Sequence, residues 1–579
     1  MMSRAHHLES AAELGTTRVV AGEVSNSAFP NARPLAANGN APDKASNRSI
    51  GKLIARRINV LAGWTTLALL IRLLCLWRLD HVLSPDGVLY LTLAQNLKAG
   101  NFSTGFSPYW APLYPILISL ASIFFRDPEF TGRFISVAAG ALLVIPVYRL
   151  AFKWYGMPAA RIAAAIVALH PLLIYYSTVV LTESVYTLVF TCAVVTGWSA
   201  LSRGRRGSFL LTGFTFGLCY LLKPEAALFL PLLVAIVFIR PFFHRAYSLK
   251  LGAQNGLLLA MGFLLPAAPY IIYLQRQTGA WVLSGKTAVH LWQGSRRAGG
   301  DFAQAVAPLV PDATTAIVQL TKALRFEYEI FNLIFPPTFV ILAALGLFRQ
   351  SWIRDRAKQE MYLLLFIVTT LAGYAVTLPN IRFLVPLLPL LLCWVAKGIV
   401  EFESWAGGTF HKRESPMRGS QTANPPWRFP SAAISLVVAA LVLSLIPLSV
   451  YLIRGDKWND YYGQKQAAVW IKTQDASAGL VVMSTVPVAA FYSGARFVPL
   501  VDEDYELFRQ RAQREGVSHI VVNQRDFRYM SLLGPLLNEQ ELHPGLRLDY
   551  RLAEDAEHKV LVYTMIDRRQ GVTQSGGSR

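Results

Sequence analysis

Residues 58–77 read INVLAGWTTLALLIRLLCLW, and residues 84–90 that follow them read SPDGVLY. The first stretch is apolar over about 20 residues, the length that a helix needs to cross the hydrocarbon core of a bilayer. Similar runs recur further along the chain, at about 133–151, 161–178, 184–201, 208–222, 226–242, 251–273, 331–348, 360–377, 383–400 and 431–453. The pattern predicts an α-helical polytopic membrane protein with about eleven spans.

Composition agrees with this interpretation. Of the 579 residues, 53% are hydrophobic and only 16% are charged, and the mean hydropathy is +0.38. The net charge of +20 comes mostly from Lys and Arg in the short connections between apolar runs, which is typical of membrane proteins and argues against a nucleic-acid partner. The four cysteines lie inside apolar runs without metal-ligand spacing, so we expect neither a disulfide nor a zinc site. No cofactor is predicted, and the sequence leaves open whether a divalent cation takes part, although none is indicated.

The stretch APLYPILISLASIFF at residues 111–125 decides the topology. It contains two prolines and only about fourteen good apolar residues, a length that favours an interfacial or re-entrant helix. If it crossed the membrane, SRGRRGS at residues 202–208 would face outward, against the excess of positive charge on cytoplasmic loops. We therefore predict a cytoplasmic N-terminus, eleven spans, one interfacial helix and an extracytoplasmic C-terminus, in the cytoplasmic membrane.

The sequence divides into four parts. Residues 1–52 are rich in Ala, Asn, Ser and Pro and lack the apolar core of a signal peptide, which predicts a disordered cytoplasmic tail. Residues 53–455 form the membrane domain. Residues 456–567 alternate polar helices with short strands, as in GLVVMS and SHIVVNQ, which predicts a small, mostly parallel α/β domain without a nucleotide-binding motif. Residues 568–579 are predicted to be a disordered tail.

The segment after the first span carries the first candidate site residue. Ser84 suits a helix N-cap and Pro85 suits the first helical position, so Asp86 falls in the first turn, where the helix dipole favours an anion. Tyr90 lies four residues later on the same face, and Gly100 is the predicted end of the helix. The alternative is that Asp86 only interacts with the helix dipole, which contributes a few tenths of a kcal/mol to stability.

Two more candidates lie at later outer junctions. Glu183 stands between two spans, where a carboxylate needs a partner or a function, although Thr182 or Glu183 could simply cap the next helix. Lys223 and Glu225 flank Pro224 between two short spans, and the simplest interpretation of that pair is a local ion pair.

Cations complete the set. Arg276 and Arg382 are predicted at the outer membrane level, with contact to lipid head groups as the alternative for each. Arg72, inside the first span, is expected within snorkelling reach of the outer interface. The convergence of these separate span ends on one face favours chemistry on a lipid-linked substrate.

The order of several segments resembles the GT-C class of membrane glycosyltransferases, in particular its protein-mannosyltransferase-like and bacterial lipid A aminoarabinose or galacturonic acid transferase-like members. The resemblance covers about residues 58–400. It is carried by PDGVLYLTLAQNLKAGNF, SPYWAPLYPILISL, GRFISVAAGALLVIPVYRLAFKWYG, HPLLIYYSTVVLTESVYTLVF, GLCYLLKPEAALFLPLL and NIRFLVPLLPLLL.

The resemblance implies an inverting glycosyltransferase that moves a sugar from a polyprenyl-phosphate carrier to a lipid, glycan or protein acceptor. It places the catalytic base on Asp86 and the second acidic position on Glu183, so we expect both acids to be catalytic. The residues expected to bind substrate are Tyr90, Lys223, Glu225, Arg276 and Arg382. Relatives usually carry a second acid after the base, where this chain has Gly87, and aminoarabinose transferases often carry a lysine in the segment matched by residues 109–112, which has none. Lys223, Arg276 and Arg382 are the cations available to hold the phosphate.

Other functions fit the same features less well. A ligase or polymerase of lipid-linked oligosaccharides is the nearest alternative within the enzymes. A transporter or flippase for a lipid-linked sugar would show internal repeats and charges at mid-membrane, and the sequence shows neither. An inactive scaffold in envelope assembly is the third possibility, because of Gly87.

Overall fold

The computed structural model describes residues 44–79, 81–243, 247–285, 313–376, 380–410, 432–458, 461–475, 479–527, 530–553 and 559–566. Most of the predicted N-terminal tail and all of the predicted C-terminal tail lie outside these ranges. The first described helix begins at Lys44, before the boundary predicted at residue 52.

Within the described ranges, the chain is almost wholly helical as far as residue 458. The helices before residue 285 are α1 (Lys44–Arg78), α2 (Pro85–Lys98), α3 (Phe102–Gly105), α4 (Leu113–Ala121), α5 (Pro128–Leu142), α6 (Val144–Leu169), α7 (Pro171–Thr178), α8 (Glu183–Arg203), α9 (Arg206–Tyr220), α10 (Phe229–Phe243) and α11 (Leu249–Thr278). The later ones are Ala313–Ile334, Pro337–Phe348, Arg354–Val376, Ile381–Leu384, Leu388–Phe410, Ala432–Ser444 and Ile446–Trp458. Short 3-10 turns occupy Pro224–Leu228 and Val385–Leu387.

Several helices are long and apolar enough to cross a membrane, which confirms the predicted class of fold. Within the described ranges there are five such segments, or six if a pair bent by 86° counts as one span. They are Ile58–Arg78, Pro128–Leu169, Glu183–Arg203, Leu249–Thr278, Ile381–Ala406 and the bent pair Leu320–Ile334 with Pro337–Phe348.

The longest of these segments is interrupted. Pro128–Leu169 has 42 residues, which as one helix would measure about 63 Å, twice the hydrocarbon thickness. Gly156 breaks it with φ +83° and ψ −177°, a backbone conformation that favours glycine. The break falls between the two spans predicted at residues 133–151 and 161–178.

Helices α9 and α11 pack closely at glycines on both helices. A Cβ atom at Gly213 would collide with the carbonyl of Leu259, and a Cβ atom at Gly262 would collide with the carbonyl of Leu210. Small residues at such contacts let helix backbones approach, which is how helices gain van der Waals contact where lipid removes the hydrophobic driving force.

The side chain of Arg72, expected within snorkelling reach of the outer interface, instead binds groups inside the helical bundle. Its side chain is fully buried, and its guanidinium donates to the hydroxyl of Ser177 and to the carbonyls of Val167 and Ala168 at 3.1–3.2 Å. Those carbonyls lie in the last turn of α6, where the helix itself leaves acceptors unsatisfied. Gly140 leaves room for the guanidinium, because a Cβ there would lie 2.8 Å from Arg72 Nε.

Helix α4 occupies the ambiguous stretch at residues 111–125. It has nine residues and is therefore about 13 Å long, less than half of what a span requires. It packs against α2 and α5, and Tyr114 on its buried face hydrogen-bonds the carbonyl of Gly132 and the hydroxyl of Ser136.

The C-terminal part contains a five-stranded sheet in the order β2-β1-β3-β5-β4. Its strands are β1 (Val481–Ser484), β2 (Arg496–Pro499), β3 (His519–Asn523), β4 (Leu546–Ala553) and β5 (Lys559–Met565). Its helices are Tyr461–Gln474, Val488–Ser493, Tyr505–Arg514 and Gln524–Phe527, with a 3-10 turn at Gly534–Leu537.

This sheet is mixed, so the prediction of a mostly parallel sheet is wrong. β1 pairs in parallel with β2 and β3, whereas β5 pairs antiparallel with β3 and β4. Only residues 554–558 separate β4 from β5. A parallel pair needs a crossover of about a dozen residues or more, so the short connection dictates the antiparallel arrangement.

Helices cover both faces of the sheet. Alternate residues of β3 enter two different apolar clusters: Ile520 and Val522 pack with Phe508 on one face, and Val521 packs with Ala468 on the other. Strands buried on both faces read as continuous apolar runs rather than as alternating ones, which is why HIVVN could be recognised in the sequence.

Candidate active site

Helix α2 places Asp86 by the local signals predicted for it. Ser84 is the N-cap, and its hydroxyl accepts a 3.2 Å hydrogen bond from the Gly87 amide. Pro85 occupies the first helical position and Asp86 lies in the first turn. The helix ends at Lys98, close to Gly100 with φ +77°. The N-terminal end of α2 therefore presents a partly exposed carboxylate.

Gly87 brings that end of α2 against the segment before Glu183. A Cβ atom at Gly87 would lie 3.0 Å from the carbonyl oxygen of Val180 and 3.3 Å from a methyl carbon of Leu83. Few real Cβ atoms tolerate such a distance to backbone. The absence of a second acid beside Asp86 thus has a structural reason: the space for its side chain is filled by the neighbouring segment.

Asp86 is paired with Arg382, which lies 296 residues further along the chain. Arg382 Nη1 lies 2.6 Å from Asp86 Oδ2, and the two side chains are 31% and 23% exposed. Asn380 caps the turn Ile381–Leu384 by accepting a hydrogen bond from the Arg382 amide at 3.1 Å. Each residue of the pair is thus held near the start of a helix, and both side chains remain partly accessible to solvent.

Glu183 is paired with Lys223 rather than standing alone. Lys223 Nζ lies 3.1 Å from Glu183 Oε1, and the side chains are only 8% and 3% exposed. The interpretation of Lys223 and Glu225 as a local ion pair is therefore wrong: the rigid turn at Pro224 directs Lys223 inward, while Glu225 is exposed. Two buried opposite charges compensate each other, which reduces the cost of placing either in an apolar surrounding.

Aromatic rings lie around the buried lysine, and no motif in the sequence predicted them. Lys223 Nζ lies 4.9 Å from the ring centroid of Phe383 and 5.5 Å from that of Tyr186. The guanidinium carbon of Arg382 lies 5.0 Å from the same Phe383 ring, which stacks on Tyr374. Phe383 therefore contacts both cations, and its π face attracts each of them.

The two ion pairs belong to one electrostatic cluster. The negative charges of Glu183 and Asp86 both stabilise the positive charge of Arg382, and Glu183 is stabilised in turn by Lys223. Carboxylates and cations therefore alternate in the order Asp86, Arg382, Glu183 and Lys223. Within the described part of the chain, Glu183 Oε2 and Arg382 Nε are buried and have no hydrogen-bond partner. A cluster with unused donor and acceptor capacity is suited to receive a polar substrate.

Tyr90 lies behind Asp86 in an aromatic wall. Its ring makes edge contacts with Trp110 and Tyr114, with centroids 5.3 Å apart in each case. Burial raises the pKa of the Tyr90 phenol well above its usual value, and the negative charges of Asp86 and Glu183 raise it further. The hydroxyl is therefore protonated and available only as a neutral hydrogen-bonding group.

The structure does not bring Glu225 and Arg276 into these ion pairs. Glu225 is exposed in the turn Pro224–Leu228, and Arg276 is exposed in the last turn of α11. Neither makes an ion pair with another residue in the described ranges. The roles predicted for these two residues stay predictions.

Metal binding has little to build on here. Among the residues that the structure describes, no group of three or more His, Cys, Asp or Glu side chains is placed to hold an ion. What the cluster offers is a partly exposed carboxylate, which can accept a proton, directly beside a guanidinium, which can hold an anion.

Comparison with known proteins adds a family resemblance over part of the chain. Residues 108–273 match the family described as dolichyl-phosphate-mannose-protein mannosyltransferase. The matched range includes Glu183 and Lys223 but neither Asp86 nor Arg382. A curated relative, the undecaprenyl phosphate-alpha-4-amino-4-deoxy-L-arabinose arabinosyl transferase of Edwardsiella ictaluri, is 25% identical over 195 residues. That match covers 30% of this chain and spans about a third, 34%, of the relative.

Solved structures extend the likeness to the whole fold. The crystal structure of ArnT from Cupriavidus metallidurans bound to undecaprenyl phosphate superposes with a TM-score of 0.54 at 13% identity, over 89% of this chain and 99% of that one. ArnT in the apo state gives 0.52 at 15% identity, over 90% and 98%. The resemblance to GT-C class membrane glycosyltransferases is confirmed, and the chain shares their fold.

Proposed function

We propose that this protein is an inverting glycosyltransferase that moves a sugar from a polyprenyl-phosphate carrier to an acceptor at the outer face of the cytoplasmic membrane. The observation that carries the proposal is the Asp86–Arg382 ion pair, which places a proton acceptor and an anion-binding group side by side. The likeness of fold to ArnT supports a lipid-phosphate donor, because that protein is described as bound to undecaprenyl phosphate.

The reaction needs one base and one anion site. An acceptor hydroxyl attacks the anomeric carbon, the bond between that carbon and the phosphate oxygen breaks, and the polyprenyl phosphate leaves with the bonding electron pair. Asp86 takes the hydroxyl proton, and Arg382 holds the charge of the leaving phosphate. Attack from the side opposite the phosphate inverts the configuration of the anomeric carbon.

The ion pair also suggests how the base is released. Arg382 Nη1 lies 2.6 Å from Asp86 Oδ2. A donor phosphate offers the guanidinium two oxygens and more negative charge than one carboxylate does, so it competes for Arg382. Asp86 then turns to the acceptor hydroxyl, and donor binding thereby precedes proton removal.

Glu183 has a supporting role in this scheme. It is buried against Lys223, and its negative charge attracts Arg382. Glu183 therefore holds the guanidinium in place when the ion pair between Arg382 and Asp86 breaks. Lys223 is committed to Glu183 and to two aromatic rings, which leaves Arg382 as the cation best placed for the phosphate. Tyr90 is proposed to contact the substrate next to Asp86, and Glu225 and Arg276 are proposed to contact more distant parts of the substrate.

The proposed topology follows from the loop charges. It has eleven spans, the interfacial helix α4, a cytoplasmic N-terminus and an extracytoplasmic domain at residues 456–567. The nine-residue length of α4 supports it, because so short a helix does not cross the hydrocarbon core. A crossing by that segment would also place the basic stretch at residues 202–208 outside. Labelling of single engineered cysteines at residues 204 and 503 from each side of sealed vesicles tests the orientation.

The transfer itself is tested with purified protein and radiolabelled sugars on polyprenyl phosphate, offered one at a time with candidate lipid, glycan and peptide acceptors. The same sugars on a nucleoside diphosphate are the matched control. We expect transfer from at least one lipid-linked donor and none from the nucleotide-linked form. Movement of an intact lipid-linked sugar across vesicles without cleavage would instead establish a flippase, and products of increasing chain length a polymerase.

A further inference from the structure

The C-terminal domain contacts the membrane domain beside the candidate active site. Its short helix Val488–Ser493 faces the helical bundle, and Val488 is fully buried in the bundle's own apolar core. Phe491 and Tyr492 of the same helix pack against that core as well. The helix contacts α2, which carries Asp86.

The hydroxyl of Tyr492 is the polar centre of this contact. It accepts a hydrogen bond from the Leu83 amide at 3.1 Å and donates one to Glu129 Oε1 at 3.2 Å. Glu129 Oε1 also lies 2.5 Å from Arg133 Nη2, which in turn donates to the carbonyl of His81. The segment before α2 is thus held at residue 81 and again at residue 83.

One side of that segment borders a cavity. Residues 81–84 line this cavity together with Arg133, Tyr175, residues 179–181, Tyr461 and Tyr462. A loop that borders a cavity makes fewer packing contacts on that side. Its position depends more strongly on the hydrogen bonds that it makes.

We propose that Tyr492 is a positioning residue for the transfer reaction: its hydroxyl fixes the backbone at Leu83 and thereby sets where α2 presents Asp86. The inference rests on the proposed function for its catalytic consequence. Leu83 immediately precedes the N-cap Ser84, so a shift at residue 83 is passed directly to the first turn of α2. A displacement of about 1 Å at a catalytic group can reduce a rate by about 100-fold.

The contact needs a group that both accepts and donates. A tyrosine hydroxyl does so, whereas a phenylalanine leaves the Leu83 amide without this acceptor and removes one of the two donors to Glu129 Oε1, the other being Arg133. The ring of Tyr492 would remain in place in such a variant, so the apolar contact between the domains is retained. Tyr492→Phe therefore removes the hydrogen bonds alone.

A matched control exists in the same domain. Tyr505 also donates one hydrogen bond, to the carbonyl of Pro544 at 3.0 Å, but this bond lies within the C-terminal domain. Tyr505→Phe removes an equivalent hydroxyl without touching the membrane domain. Amide hydrogen exchange at residues 81–90 and steady-state kinetics are measured for both variants in the full-length protein.

We expect Tyr492→Phe to speed amide exchange at residues 81–90 by about 2- to 10-fold, the factor that one ordinary hydrogen bond allows. It should lower kcat by about 10- to 100-fold at unchanged KM for the donor, while Tyr505→Phe changes neither quantity. Unchanged exchange at residues 81–90 overturns the proposal, and so does a change confined to KM or a kcat equal to that of the unaltered protein.

The failure of the proposed function is distinguishable from the failure of this inference. Were the unaltered protein inactive with every polyprenyl-phosphate sugar, the proposed function would fail for all variants alike. The exchange comparison between Tyr492→Phe and Tyr505→Phe would still decide whether Tyr492 holds the segment.

Discussion

Arg382 binds Asp86 at 2.6 Å although 296 residues separate them in the chain. Each is the second residue of its helix, Asp86 in α2 and Arg382 in the turn Ile381–Leu384. The contact is partly exposed and lies next to a buried second ion pair. It places a proton acceptor beside a cation, as the proposed transfer with an anionic leaving group needs.

Removing the guanidinium should weaken donor binding. In Arg382→Gln the donor phosphate loses a charge-assisted hydrogen bond, worth about 1.5–3 kcal/mol, so we expect the donor dissociation constant to rise about 10- to 150-fold. Titration of the purified variant with a polyprenyl-phosphate sugar measures this. Arg496→Gln, which removes an exposed arginine paired with Glu515, is the control and should leave binding unchanged. Equal affinity in the two variants would contradict the role of Arg382.

The buried pair should show strong coupling in stability. Either Glu183→Gln or Lys223→Met leaves a buried charge without its partner, which costs about 3–5 kcal/mol in comparable sites. The double variant removes both charges, so we expect its unfolding midpoint in detergent to lie above that of each single variant. Thermal unfolding of the four proteins measures the coupling, and simple additivity would show that the two residues do not depend on each other.

Gly87 should tolerate no side chain. A Cβ would meet the Val180 carbonyl at 3.0 Å, so Gly87→Ala forces α2 away from residues 179–182. We expect a loss of about 1–3 kcal/mol in stability and a fall in transfer rate.

Gly207→Ala is the matched control for that change. No atom lies within 4 Å of the position that its Cβ would take, and it stands in helix α9, where alanine is favoured over glycine by about 1 kcal/mol. It should be neutral or stabilising in a thermal unfolding assay. If both alanine variants behaved alike, the close approach at Gly87 would not matter.

Local sequence signals predicted the start of α2 because they act over a few residues. Ser84 and Pro85 specify a helix start whatever surrounds them, and the structure places Asp86 in the first turn accordingly. The apolar runs were recognisable for a similar reason, since the length of a span depends only on the thickness of the bilayer.

Contacts between distant segments could not be predicted in this way. The topology predicted from the sequence places Glu183 and Lys223 at the same end of the bundle. No periodicity in the sequence shows that Lys223 pairs with Glu183 rather than with Glu225, its near neighbour in the chain. Arg72 was misinterpreted because its acceptors, the carbonyls at the end of α6, lie about 95 residues further along the chain. Tyr492 was missed because it lies on a helix of six residues without any recognisable motif.

The C-terminal sheet shows the same division. β3 is buried throughout and was recognised by its apolar run, whereas β4, with the sequence LRLDYRLA, is only partly buried at the edge and was not. An edge strand with charged residues resembles a loop in sequence, because such residues protect the edge from pairing with other chains. Without β4, the antiparallel half of the sheet could not be anticipated.

The most direct test of the catalytic role of Asp86 is a single-turnover assay of Asp86→Asn with a donor on which the unaltered protein acts. The variant keeps the shape of the side chain but cannot accept the acceptor's proton, so we expect the transfer rate to fall by about 100- to 10,000-fold. Asp504→Asn, which exchanges one good N-cap for another in the C-terminal domain, should transfer at the unaltered rate. Transfer by Asp86→Asn at the rate of Asp504→Asn would contradict the assignment of Asp86 as the base.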